Sequence, residues 1–162
     1  MSAASYHIAQ LNIGRVRAPV DDPLMADFTN NLVAINTLGH DTPGFVWQLL
    51  TDEGNSTAFR IFPEEDDLLI NMTLWESIEA LFDFTYKSQH VEFLRRRREW
   101  FEPMNDLPSL VLWWVVAGHQ PTLEEAKAKL IYLHEHGPTP LAFTFRQRYS
   151  VHDLEVHLRT ST

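Results

Sequence analysis

Asn71, Thr73 and Trp75 alternate with Ile70, Met72 and Leu74 along the run Leu68 to Trp75, so an extended chain places the first three on one face. Asn is uncommon inside a strand, and a buried carboxamide must find hydrogen-bond partners. Gln10 and Asn12 share a face in the same way on the run Tyr6 to Ile13. If the two runs are neighbouring strands, these amides converge on one space. A neutral amide neither ionises nor attacks, but it can orient a substrate oxygen or hold a developing oxyanion. Trp75, with Trp47 or Trp113, offers flat walls to an aromatic ligand.

His90 is the candidate proton carrier, on a helix expected to face the sheet. It can serve as a general base or as an axial haem ligand. Tyr86 shares its helical face. The structural alternative also stands: amides that satisfy backbone ends and each other, tryptophans that fill core, and a histidine bonded to its own neighbourhood. His134 and His136 point away from each other on a helix and cannot chelate one metal together, and His119 precedes Pro121 in a turn.

Composition removes several chemistries. The 162 residues contain no cysteine, which excludes disulfides, thiolate nucleophiles and cysteine-held zinc or iron–sulfur clusters. Six scattered glycines make neither a dinucleotide loop nor a Walker loop. The acidic run Glu64 to Asp67 is consecutive and reads as a solvated loop rather than a metal site. A net charge of −9 argues against a nucleic-acid partner, and Arg95 to Arg98 reads as a solvated helical face. No apolar run approaches a membrane span and the first residues carry no leader pattern, so a cytoplasmic protein is expected.

The elements that must position these residues follow from periodicity and punctuation. Tyr6 to Ile13, Phe45 to Leu50, Leu68 to Trp75 and Leu110 to Ala117 read as strands. Asp22-Pro23 starts a helix running through Leu24, Phe28, Leu32, Ile35 and Leu38 to Gly39. Ser77 caps a long helical segment that breaks near Ser88, which caps a second helix ending before Pro103. Residues 51–56 read as a loop. Thr122 with Glu125 makes a capping box for a helix that stops at Gly137-Pro138. Leu141 to Phe145 reads as a docked extended segment, and residues 151–162 as a weakly ordered tail after a single domain over 1–150. The fold class is therefore α+β, a βαββαβ sheet with an extra C-terminal helix and tail. The fourth strand is apolar on both faces, so both sheet faces need cover, and a second subunit is one way to supply it.

The strings QLN (10–12), TPGFVW (42–47), NMTLWES (71–77), FTYKSQH (84–90) and RREWF (97–101) resemble a bacterial family called domain of unknown function 3291. LWW (112–114), GHQP (118–121), HGP (136–138) and AFTF (142–145) match it as well. The resemblance implies a ferredoxin-like sheet forming a dimeric α+β barrel, hence a homodimer, and brings no function. A looser similarity reaches the small monooxygenases that share this fold. Those acting on polyphenols without flavin or metal carry an Asn and a Trp at the spacing of Asn71 and Trp75. The haem-degrading members use an Asn, a Trp and a His, places that Asn12, Trp75 and His90 could fill, although the gap from Trp75 to His90 is longer than in that pattern.

Three expectations follow. The first is a cofactor-independent monooxygenase or cyclase-like enzyme for a hydrophobic aromatic molecule, with Asn71, Trp75 and His90 catalytic and Gln10, Asn12, Trp47, Tyr86 and Trp113 binding substrate. The second is a haem-binding or haem-degrading protein. The third is a non-catalytic ligand-binding or assembly module.

Overall fold

The computed structural model describes residues 5–50, 59–88 and 90–160. β1 (Tyr6–Val16) is the centre of an antiparallel sheet. One edge of it pairs with β3 (Leu68–Trp75), which carries β2 (Phe45–Gln48) on its far side. The other edge pairs end to end with the short β4 (Phe101–Glu102) and with β5 (Leu110–Val116). The spatial order β5-β1-β3-β2, with helices in the crossovers, is that of a ferredoxin-like α+β sheet, as expected. The loop expected over 51–56 lies outside the described residues.

Helix starts are set locally. Asp22 accepts a hydrogen bond from the Leu24 amide at 2.9 Å and opens a 3-10 turn, Pro23–Met25, that leads into α1 (Ala26–Thr29). The continuous helix expected here is interrupted before α2 (Leu32–His40). Asn31 explains the break: its side-chain amide donates to the Asp27 carbonyl at 2.7 Å, replacing a backbone partner. Ser77 accepts from the Ala80 amide at 3.1 Å to start α3 (Ile78–Lys87). Ser88 ends α3 by donating to the Phe84 carbonyl and starts α4 (His90–Trp100) by accepting from the His90 amide at 3.1 Å.

The two sheet faces are covered differently. Ala9, Leu11 and Ile13 of β1, Ile70, Met72 and Leu74 of β3, and Val111, Trp113 and Val115 of β5 pack against Ala126, Leu130 and Leu133 of α5 (Leu123–His136). The doubly apolar β5 does need cover on both sides, but the second cover is α5 of the same chain rather than another subunit. This face is closed within one chain. The opposite face, carrying Ile8, Gln10, Asn12, Asn71, Thr73 and Trp75, lies beneath α1–α4.

Leu141–Phe145 docks on the outer edge of β5 as expected, with Leu112 and Phe143 exchanging backbone hydrogen bonds of 2.8 and 2.9 Å. The C-terminal residues differ from expectation: Val151–Thr160 forms α6. Ser150 and Asp153 cap it reciprocally, at 3.1 and 2.8 Å, and Leu154 is buried. That Ser-x-x-Asp pattern was present in the sequence. No described helix is long and apolar enough to cross a membrane.

Candidate functional site

Beneath α1–α4, the sheet face carrying Gln10, Asn12 and Asn71 leaves a cavity of about 290 Å³. Its floor is β1 and β3, its roof α1–α4, and Phe145 reaches it from the C-terminal segment. Of the residues singled out from the sequence, Gln10, Asn12, Asn71, Trp75, Tyr86 and His90 all line it. Trp47 and Trp113 do not. Trp113 sits opposite Ala9, on the α5 face, where its indole N–H donates to Glu125 at 3.0 Å. Trp47 is turned to that same face by a β-bulge: Phe45 pairs with Trp75 but Trp47 pairs with Leu74, so the residue between them shifts the alternation.

The register explains the polar floor. Gln10 stands opposite Thr73, and Asn12 opposite Asn71. The indole N–H of Trp75 donates to the Thr73 hydroxyl at 2.9 Å, and that hydroxyl donates to Gln10 Oε1 at 2.7 Å. An indole nitrogen can only donate, so the Thr73 proton goes to the Gln10 carbonyl oxygen and leaves the Gln10 NH₂ turned away from this chain of bonds. Asn12 and Asn71 are half-buried, and neither side-chain amide bonds to a described residue. The floor thus presents amide donors and acceptors whose own bonds are open.

Trp75 is a structural wall. It is fully buried, stacked on Phe84 at 5.2 Å and met edge-on by Phe45 at 5.4 Å. The expected stacking partner for a ligand is therefore already taken by Phe84. Trp75 and Trp100 are both fully buried and the cavity persists between them, so the protein's own tryptophans do not fill it.

His90 opens α4. Its Nδ1 lies 3.2 Å from the Thr85 carbonyl, which can only accept, so Nδ1 carries the proton and Nε2 keeps its lone pair. Burial pushes its pKa below the ordinary 6.5, against a smaller upward pull from Thr85. The ring leans on Phe84 at 5.1 Å. His90 is thus a neutral base held by a backbone carbonyl. Tyr86 is more exposed, against Phe82 and Phe145, and belongs to the rim.

Several lining residues were not foreseen. Gln48 and Asn36 line the cavity, with Gln48 donating to Asn36 at 3.1 Å; His40, outside the lining, meets Gln48 Oε1 through Nε2 at 3.0 Å, and the three make a polar link from β2 to α2. Arg97 also lines the cavity. The bulge at β2 places Gln48 and is not readable from the sequence, whereas Arg97 follows His90 and Phe93 at helical spacing on α4 and could have been read there. Elsewhere, His119 meets Glu125 at 2.6 Å. That bond, with the one from Trp113, takes the Glu125 carboxylate away from the reciprocal half of the Thr122 capping box. Among the described residues no group of three or more His, Asp or Glu is placed to hold a metal.

These features define a ferredoxin-like α+β domain with a cavity between sheet and helices. The chain belongs to the family described as domain of unknown function DUF3291, whose model matches residues 7–160. No curated protein matches it. Among solved structures, it is similar to SnoaB, a cofactor-independent oxygenase from Streptomyces nogalater, at 13% identity over 70% of this chain and 95% of that one, with a TM-score of 0.46. PA3566 from Pseudomonas aeruginosa follows at 12% identity, 71% and 97% coverage and a TM-score of 0.46. Rv0793 from Mycobacterium tuberculosis gives 12%, 72% and 99%, and 0.44. At such scores these likenesses carry no argument about activity.

Proposed function

We propose that the chain is an enzyme that takes a proton from a small aromatic substrate, a phenol or an enolisable ketone, and lets the resulting anion react with dioxygen. The observation that carries this reading is His90, neutral, tautomerically fixed and with Nε2 free, in a ring-walled cavity floored by uncharged amides. Nε2 accepts the proton. The NH₂ groups of Gln10, Asn12 and Asn71 hold the oxyanion that forms. For a benzylic methylene conjugated through a ring to a carbonyl, the carbanion passes its electrons to dioxygen, the peroxide loses water, and the methylene becomes a carbonyl: R₂CH₂ + O₂ → R₂CO + H₂O. The substrate supplies every electron, so the reaction as proposed needs no cofactor.

Anthrone tests it. The expected result is oxygen uptake and anthraquinone formation in equal amounts, with kcat lowered about 100-fold or more by His90→Ala. Oxidation at the buffer rate, or unaffected by His90→Ala and Asn71→Ala, rejects the reading. A free imidazole Nε2 is also what a haem ligand needs, which is the second reading. A cavity at the low end of small-molecule sites favours a molecule of two or three rings over a macrocycle. An absorbance scan with haemin decides between them: a Soret shift abolished by His90→Ala supports haem. Two copies, as the family resemblance implies, would have to associate outside the sheet face that α5 covers, and light scattering against the 18.8 kDa of one chain reads this directly.

A further inference from the structure

The lining of the cavity contains one fixed charge. Among its residues no Asp, Glu or Lys occurs, and Arg97 is the sole arginine. Arg95 and Arg96, the two arginines before it on α4, are engaged. Arg95 pairs with Glu92 at 3.1 Å, and Arg96 pairs with Glu99 at 2.8 Å and Asp27 at 2.7 Å. Arg97 makes no ion pair or hydrogen bond with a described residue, in a chain whose net charge is −9. What sets it apart from Arg98, the next arginine of α4, is its place on the cavity lining.

Its position on the helix is the second observation. His90, Phe93, Leu94, Arg97 and Trp100 recur at helical spacing and all line the cavity. Arg97 therefore belongs to the stripe that faces the sheet, although its own side chain is exposed. That places a guanidinium at the mouth and the rings and amides further in. A cationic ligand would meet only like charge there. A ligand with a carboxylate at one end and an aromatic body would find a planar donor fork for the acid and ring contacts for the rest.

We propose that the ligand class of this cavity is the aromatic carboxylic acids, with the acid paired to Arg97 at the mouth and the ring system between His90 and the β1–β3 floor. This rests on the reading of the cavity as a ligand site and narrows it. The enzyme's substrate then carries two functions: an acid that anchors it and an acidic C–H or O–H that reacts.

Calorimetric titration with 2-naphthoate and 2-naphthamide, equal in shape and different in charge, tests the assignment. Wild-type protein should bind the acid about tenfold more tightly than the amide, the preference shrinking as salt is raised. Arg97→Gln should remove about tenfold in affinity for 2-naphthoate and leave 2-naphthamide within about twofold. Arg98→Gln makes the same change in net charge off the lining, and should leave both unchanged. Thermal melts of the variants establish that each is folded. If both probes bind and Arg97→Gln alters neither, the acid assignment is overturned and the ligand site stands. If neither probe binds to wild-type protein, both fall.

Discussion

Asn12 and Asn71 are register partners across the β1–β3 ladder, and neither side-chain amide bonds to a described residue. Two facing carboxamides in mid-strand give the fold little, since Asn is a poor strand residue and their bonding groups are left to solvent or a ligand. Asn71→Leu should therefore be neutral or stabilising, by up to about 1 kcal/mol in urea denaturation, while binding of 2-naphthamide falls about tenfold. Parallel loss of stability and binding would assign the residue to the core.

The chain of bonds from Trp75 through Thr73 to Gln10 behaves in the opposite way. Thr73→Val keeps the shape and removes the hydroxyl, leaving a buried indole N–H and a buried carbonyl oxygen without partners. A loss of about 1–3 kcal/mol in the unfolding free energy is expected, with most of it recovered in Thr73→Ser.

His90 carries a pH signature. Its folded pKa lies below the 6.5 of the unfolded chain because burial disfavours the imidazolium. As pH falls through 6.5, the unfolded state takes up a proton that the folded state refuses, so stability declines until the lower folded pKa is reached. Above 6.5 the full stability is present. The fall in urea midpoint between about pH 8 and about pH 5.5 should be smaller in His90→Gln than in wild type.

Gly44 turns the chain into β2 with φ +89°, and a Cβ there would lie 2.5 Å from the Cβ of Ala80 on α3. Gly44→Ala combines a disfavoured backbone with a clash at the helix that roofs the cavity. A loss of about 1–3 kcal/mol in thermal or urea unfolding is expected. Ala80→Gly in the same chain should return part of it by removing the clash alone.

Leu130 of α5 is fully buried against the second sheet face. Leu130→Ala should lose about 2–5 kcal/mol. Because that face is closed by the same chain, the difference between wild type and variant should stay the same as protein concentration is raised.

What was legible in the sequence was what is decided locally. Leu68–Trp75 has the expected ends, and Ser77, Ser88 and Thr122 cap the helices assigned to them, because alternation and capping are read within a few residues. Gln10, Asn12 and Asn71 converge because strand alternation carried over into the true pairing. What was not legible depends on distant partners. One inserted residue at the β2 bulge reverses Trp47, and the register of β5 against β1 puts Trp113 on the far side. The cover for the second face was left open, with another subunit as one way to supply it, because nothing in the α5 sequence states which surface it packs on. Asn31 and Ser150 carried readable signals, an Asx side chain in mid-helix and a capping box, that the broader hydrophobic pattern outweighed.

The closure of one sheet face by α5 leaves β1 with two separable sets of positions. Ala9 and Leu11 belong to the packed interior under α5, while Gln10 and Asn12 belong to the cavity. A single-residue insertion ahead of β1 that shifted its pairing would exchange the sets, driving two amides into the interior and stranding aliphatic side chains in the cavity. Variation at this strand should therefore be readable by parity: changes at Gln10 or Asn12 retune what is bound, changes at Leu11 remove the protein, and shifts of frame do both at once.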